Sequence, residues 1–277
     1  MKHYSLGLYE KSMPHSLTLH EKLMITKASG FDFLEISIDE TEEKLSRLYW
    51  DYSKREEIIT EIADTGISIG SMCLSGHRKY PLGSTDEKTR CKSMDIMKRA
   101  IDIASDFGVR IIQLAGYDVY YEESTKRTRE YFRENLTRSV KIAAKQGVVL
   151  AFETMETPFM DTVEKAMRYI NEINSPFLQI YPDLGNLTNA ALLYGSGVAD
   201  DLIAGSGHIA ALHLKETAPQ EYRGVPYGRG HVDFKAGIDT AWQLGVRRYV
   251  GEFWDNGAYR EQIDRAFEFL SGFLSKR

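Results

Sequence analysis

The chain has 277 residues, of which 43% are hydrophobic and 27% charged, and its 35 basic and 40 acidic side chains leave a net charge of −5. That length is ordinary for one α/β barrel, typically about 250 residues, and charge spread along so apolar a chain excludes wholesale disorder. A mildly acidic balance lacks the basic footprint that phosphate-backbone binding needs, so no nucleic-acid partner is expected.

Short β-rich runs alternate with longer stretches of helical period. The predicted strands are residues 4–10 (YSLGLYE), 31–38 (FDFLEISI), 68–74 (SIGSMCL) and 110–116 (RIIQLAG), then 148–154 (VVLAFET), 178–183 (LQIYPD), 209–215 (IAALHLK) and 249–254 (YVGEFW). Most are apolar along their length, as parallel strands covered on both faces are. The clearest helix, 86–107, carries Met94, Met97, Ile101 and Ala104 on one stripe. Gly30, Gly66, Gly108, Gly147 and Gly245 stand just before a strand, where glycine ends a helix. Strands recur about every 30 residues, one βα unit each. Eight units with no Pro/Gly/Ser-rich linker predict a single-domain (β/α)8 TIM barrel over 1–277. The first strand is not followed by Gly-x-Gly-x-x-Gly, which argues against a dinucleotide fold.

Cys73 and Cys91 are the only cysteines, too few for a disulfide framework, and they suit a reducing cytoplasm. Residues 1–10 lack a signal-peptide pattern, and no apolar run approaches the roughly 18 residues of a membrane helix. A soluble cytoplasmic protein without a membrane partner is expected.

Active sites of such barrels form where strands end. Four consecutive predicted strands end with ligand-type side chains: Glu153, Asp183, His213 and Glu252. Singly, each has a plain structural explanation as a helix cap, an ion-pair partner or a hydrogen-bonded core histidine. Together they aim three carboxylates and an imidazole at one barrel mouth, where repulsion and desolvation disfavour them unless a cation intervenes. Three oxygen ligands and one nitrogen suit one divalent ion, Mn²⁺, Mg²⁺, Zn²⁺ or Co²⁺, and the absence of Cys-rich spacing points to an open catalytic site.

At these residues the chain resembles the xylose-isomerase-like TIM barrels, and among them the L-ribulose-5-phosphate 3-epimerases, also called L-xylulose-5-phosphate 3-epimerases. The resemblance runs from Leu6-Gly7-Leu8-Tyr9-Glu10-Lys11 through Ile112-Gln113-Leu114-Ala115-Gly116-Tyr117-Asp118 to Tyr181-Pro182-Asp183-Leu184-Gly185-Asn186-Leu187. It implies a metal held by Glu153, Asp183, His213 and Glu252, with Glu153 and Glu252 also moving protons. It implies 3-epimerisation of a ketopentose phosphate through an enediolate, a place in L-ascorbate and pentose utilisation, and a homodimer. Free keto-sugar epimerases carry histidine three residues after the metal aspartate; Asn186 stands there and resembles the sugar-phosphate branch.

A phosphate handle needs cationic or backbone donors. Those near strand ends are His77, Arg78, Lys215, Arg223 and Arg229, with Lys215 favoured because it shares a strand face with His213. Tyr9, Tyr117, Tyr120, Tyr121 and Trp254 are candidates for the pocket wall, and Gly224, Gly228 and Gly230 for a loop that approaches a ligand. The nearest rivals are an aldose–ketose isomerase working by hydride shift and a hexulose-phosphate isomerase on the same barrel. A three-metal endonuclease of apurinic sites is disfavoured: of 7 histidines, His3, His15 and His20 fall before or within the first helix.

Overall fold

The computed structural model describes residues 2–276. Its strands are β1 (Ser5–Tyr9), β2 (Phe33–Ile38), β3 (Ser68–Leu74), β4 (Ile111–Ala115), β5 (Val149–Glu153), β6 (Leu178–Ile180), β7 (Leu212–Leu214) and β8 (Arg248–Gly251). The α-helices among the described residues are α1 (Leu19–Ala28), α2 (Glu42–Ser46), α3 (Tyr52–Thr65), α4 (Glu87–Asp106) and α5 (Lys126–Lys145), followed by α6 (Val163–Ile173), α7 (Leu184–Tyr194), α8 (Val198–Ala204), α9 (Phe234–Gln243) and α10 (Tyr259–Leu274).

The strands are parallel and pair with their sequence neighbours, and β1 also pairs with β8. Between β6 and β7 the seam is closed by bridges at Ile180–Ile209 and Asp183–His213, where the His213 N–H donates to the Pro182 carbonyl at 2.9 Å. The eight-stranded barrel read from the sequence is therefore closed. Strands β6 and β7 are shorter than the runs 178–183 and 209–215. Pro182 has no N–H for the ladder, and Asp183 leaves the strand to cap α7.

Other local expectations hold for physical reasons. Asp86 caps α4 by accepting from the Thr89 N–H at 2.9 Å, and Met94, Met97, Ile101 and Ala104 are all buried against the sheet. The five helix-ending glycines have positive φ, from 66° at Gly147 to 88° at Gly245, a region open to glycine at no steric cost. Low in the barrel, the Phe33 ring fills the space between two glycines. A Cβ would fall 2.3 Å from that ring at Gly7 and 2.2 Å at Gly70. No helix among the described residues is long and apolar enough to cross a membrane.

The large hydrophobic core lies between strands and helices, and a second, smaller cluster fills the barrel. The interior cluster includes Ala151, Tyr181, Ala211 and Val250. Each stands two residues before one of Glu153, Asp183, His213 and Glu252. Because side chains alternate along a strand, that offset turns all four toward the barrel axis, one step nearer its C-terminal mouth.

Candidate active site

The four side chains converge, with one ligand atom from each lying within 4.8 Å of the others, and all four residues are buried. His213 Nδ1 is 3.3 Å from Glu252 Oε2, 3.8 Å from Glu153 Oε1 and 4.0 Å from Asp183 Oδ2. Asp183 Oδ1 accepts from the Asn186 N–H at 2.6 Å as the cap of α7. Asp183 Oδ2 and Glu252 Oε2 have no hydrogen-bond partner. Glu252 Oε2 has only the looser contacts with His213 at 3.3 Å and Lys215 at 3.4 Å, and Asp183 Oδ2 has no donor, a costly arrangement for buried carboxyls that a cation at their centre would relieve. The donor set therefore fits a divalent ion held by Glu153, Asp183, His213 and Glu252.

The charges divide unequally. Burial first, and the neighbouring Glu252 second, push Glu153 up to about 8. Burial likewise raises Asp183 to about 7, partly offset by Lys215. Burial would raise Glu252 too, but the Lys215 ammonium and the His213 imidazole outweigh it and hold this carboxyl well below the usual range. Burial would lower His213, but Glu35 and Glu252 raise it well above an ordinary histidine. Without an ion, two carboxyls of one pocket are thus pushed in opposite directions, Glu153 up by burial and mutual repulsion and Glu252 down by its cationic neighbours.

The phosphate candidates separate. Lys215 stands inside the acid cluster, its Nζ 3.3 Å from Asp183 Oδ1 and 3.4 Å from Glu252 Oε2. Asn186 is buried beside it; its Nδ2 donates to the Thr154 carbonyl at 2.7 Å while its Oδ1 has no partner. Arg78, Asn186 and Arg223 line a cavity of about 50 Å³ directly over the cluster. Arg78 lies 4.7 Å above the Tyr120 ring with its Nε unpartnered, and Arg223 sits 3.6 Å from Glu156 and 5.4 Å from the Trp254 ring. Arg229 is exposed on a separate groove of about 760 Å³, between the 216–231 loop and α10. Lys215, Glu252 and Trp254 border both spaces.

His77 does not join the site. It is buried, with Nε2 3.2 Å from the Ser93 carbonyl of α4, because the turn after β3 tucks the ring under that helix. Burial lowers its pKa from 6.5 to about 4. Between those values the unfolded chain binds the extra proton, so the stabilisation is complete above pH 6.5 and lost as pH falls toward 4. The difference corresponds to about 3 kcal/mol. Thermal melts from pH 7 to 4.5 are expected to fall more steeply for the wild type than for His77→Gln.

Of the aromatic candidates, Tyr9 and Trp254 line the cavity, while Tyr121 is 68% exposed and donates to Glu40 at 3.0 Å. Gly230 serves the loop itself: a Cβ there would meet the Thr217 carbonyl at 2.0 Å. The sequence reading missed Glu216, which is buried and accepts from the Gly228 N–H at 2.9 Å and the Val232 N–H at 3.2 Å, tying the loop down. It also missed Glu35 and Gln113, both fully buried against His213. The available signal was an acid in the middle of the apolar strand FLEISI.

Residues 23–271 match the xylose isomerase-like TIM barrel family. The L-ribulose-5-phosphate 3-epimerase UlaE of Escherichia coli O139:H28 is 44% identical over 278 residues, covering 99% of this chain and 96% of that protein. The chain belongs to the L-ribulose-5-phosphate 3-epimerase family. Its relative of the same name in Shigella boydii serotype 18 is also 44% identical, over 93% of this chain and 89% of that one. Among solved structures, an L-ribulose 3-epimerase superimposes on this epimerase with a TM-score of 0.82 at 17% identity, covering 99% of this chain and 95% of the other. A D-psicose 3-epimerase of Clostridium cellulolyticum H10, solved with D-tagatose, gives 0.81 at 14% identity, covering 98% and 99%. At such identities the likeness is one of fold. The family places this chain among the isomerase-class epimerases.

Proposed function

We propose that this epimerase interconverts L-ribulose 5-phosphate and L-xylulose 5-phosphate with one divalent ion, and that Glu153 and Glu252 move the proton at C3. The observation that carries the reading is geometric: Glu153 and Glu252 are two buried carboxyls of one four-residue cluster whose ligand atoms lie within 4.8 Å of one another, beneath a cavity that both line. The ion, when bound, supplies Lewis acidity for the substrate carbonyl oxygen. Glu252 takes the C3 proton on one face, and Glu153 returns a proton to the opposite face of the enediolate. The roles exchange in the reverse direction. Burial keeps bulk water from competing for those protons, and Lys215 balances the carboxylate charge. An ammonium at this position also suits the hydride-shift isomerase, the second reading, and deuterium exchange at C3 separates the two.

Arg78 and Arg223 are the phosphate donors this reading favours, because both border the cavity over the cluster and Arg78 keeps a free, buried Nε. A charge-assisted hydrogen bond is worth about 1.5–3 kcal/mol, so Arg78→Ala is expected to raise KM for L-ribulose 5-phosphate by about 10–100-fold. The KM for unphosphorylated L-ribulose should barely move. Equal effects on the two sugars would remove Arg78 from the phosphate site. The reading places the chain in the cytoplasm, in L-ascorbate and pentose utilisation. It also carries a homodimer, with exposed Leu192, Leu193 and Ile203 of α7 and α8 as apolar surface, and light scattering would measure its mass.

A further inference from the structure

Glu35 is fully buried in β2, takes no part in the four-residue cluster, and is the closest contact of His213: its Oε1 is 2.6 Å from His213 Nε2. Its other oxygen, Oε2, accepts from Ser71 Oγ at 2.6 Å and from the Tyr181 hydroxyl at 2.9 Å, both in fully buried residues. Two hydroxyl donors thus saturate one side of the carboxylate and fix its plane, leaving Oε1 to accept from the imidazole. A carboxylate offers no hydrogen, so the ring nitrogen facing it must carry one.

The other ring nitrogen, Nδ1, is the one that faces Glu252, Glu153 and Asp183. Gln113 cannot make this choice, because its Nε2 lies almost equally far from the two ring nitrogens, 3.1 Å from Nδ1 and 3.2 Å from Nε2. The Tyr181 ring, 4.8 Å from the imidazole centroid and at 68° to it, restricts the ring plane while the same residue's hydroxyl holds Glu35.

We propose that Glu35 is a positioning residue that fixes His213 as the Nε2–H tautomer and thereby makes Nδ1 the ligand atom for the divalent ion. This inference rests on the metal reading above and extends it to a residue outside the ligand set. A carboxylate behind a ligating histidine orients the ring and raises its basicity, and loss of such a partner typically lowers metal affinity about 10–100-fold.

The test is titration of the metal-free chain with Mn²⁺, following the electron paramagnetic resonance signal of the free ion. Glu35→Gln preserves shape and removes the charge. It is expected to bind Mn²⁺ about 10–100-fold more weakly while melting close to the wild type without metal. Ser71→Ala, which touches Glu35 but not His213, should give a smaller loss of roughly 3-fold, because the Tyr181 hydroxyl still holds the carboxylate. In ¹⁵N-histidine-labelled wild type loaded with Zn²⁺, the His213 proton should reside on Nε2, a readout that needs no variant. Wild-type Mn²⁺ affinity in Glu35→Gln, or a Zn²⁺-loaded ring protonated on Nδ1, would overturn the inference and leave the metal reading intact. A wild-type chain that binds no Mn²⁺ would overturn both.

Discussion

Glu252→Gln is expected to lower kcat for C3 epimerisation by about 10³-fold, within the range found when a general acid–base group is lost. The amide cannot take a proton, and it removes the charge that pairs with Lys215 at 3.4 Å and His213 at 3.3 Å. Glu153→Gln should suffer a comparable loss of epimerisation, with one difference. Its intact Glu252 can still remove the C3 proton and return solvent deuterium to the same face. That variant should therefore exchange C3 without inverting it, and Glu252→Gln should do neither in the same direction of reaction. Steady-state rates at saturating Mn²⁺, measured beside bound-metal content, check both. More than a tenth of wild-type turnover in Glu252→Gln would remove this carboxylate from proton transfer.

The second large effect concerns stability. A ligand present at 1,000 times its Kd stabilises the native state by about 4 kcal/mol, which in a chain of this size raises Tm by about 10 °C. Saturating Mn²⁺ or Co²⁺ should produce such a shift, because it relieves the crowding of three buried carboxyls, of which Asp183 Oδ2 has no hydrogen-bond donor. Asp183→Asn keeps the cap on α7 but loses a charged ligand, so most of the metal-induced shift should disappear. Protons compete for the same atoms. With Glu153 at about 8 and Asp183 at about 7, ion affinity should weaken as pH falls through that range, the sign expected when binding must release protons. Identical melting curves with and without every divalent ion tried would contradict the metal reading.

The cluster was legible in the sequence because it depends on only two regularities: strands recur every βα unit, and side chains alternate along a strand. Glu153, Asp183, His213 and Glu252 each follow an apolar interior residue by two positions, so their convergence needed no knowledge of packing. Strand β3 coincides with the predicted 68–74, whereas β6 stops at Ile180 because Pro182 and the capping role of Asp183 interrupt the ladder. What was not legible depends on distant partners. His77 follows a strand as Arg78 does, yet the turn after β3 buries one against α4 and leaves the other at the cavity. Glu35 and His213 are 178 positions apart, and an acid inside a buried strand announces only that some partner exists. Lys215 was placed on the correct face, but its distance from the carboxylates is set by the closure of β6 on β7.

The most direct test of the proton-transfer account is incubation of L-ribulose 5-phosphate with the Mn²⁺-loaded chain in D₂O, followed by NMR at C3. The account predicts that L-xylulose 5-phosphate appears with deuterium at C3 from the first turnovers. L-xylulose 5-phosphate that forms while keeping the original hydrogen at C3, or an aldose product in its place, would contradict it.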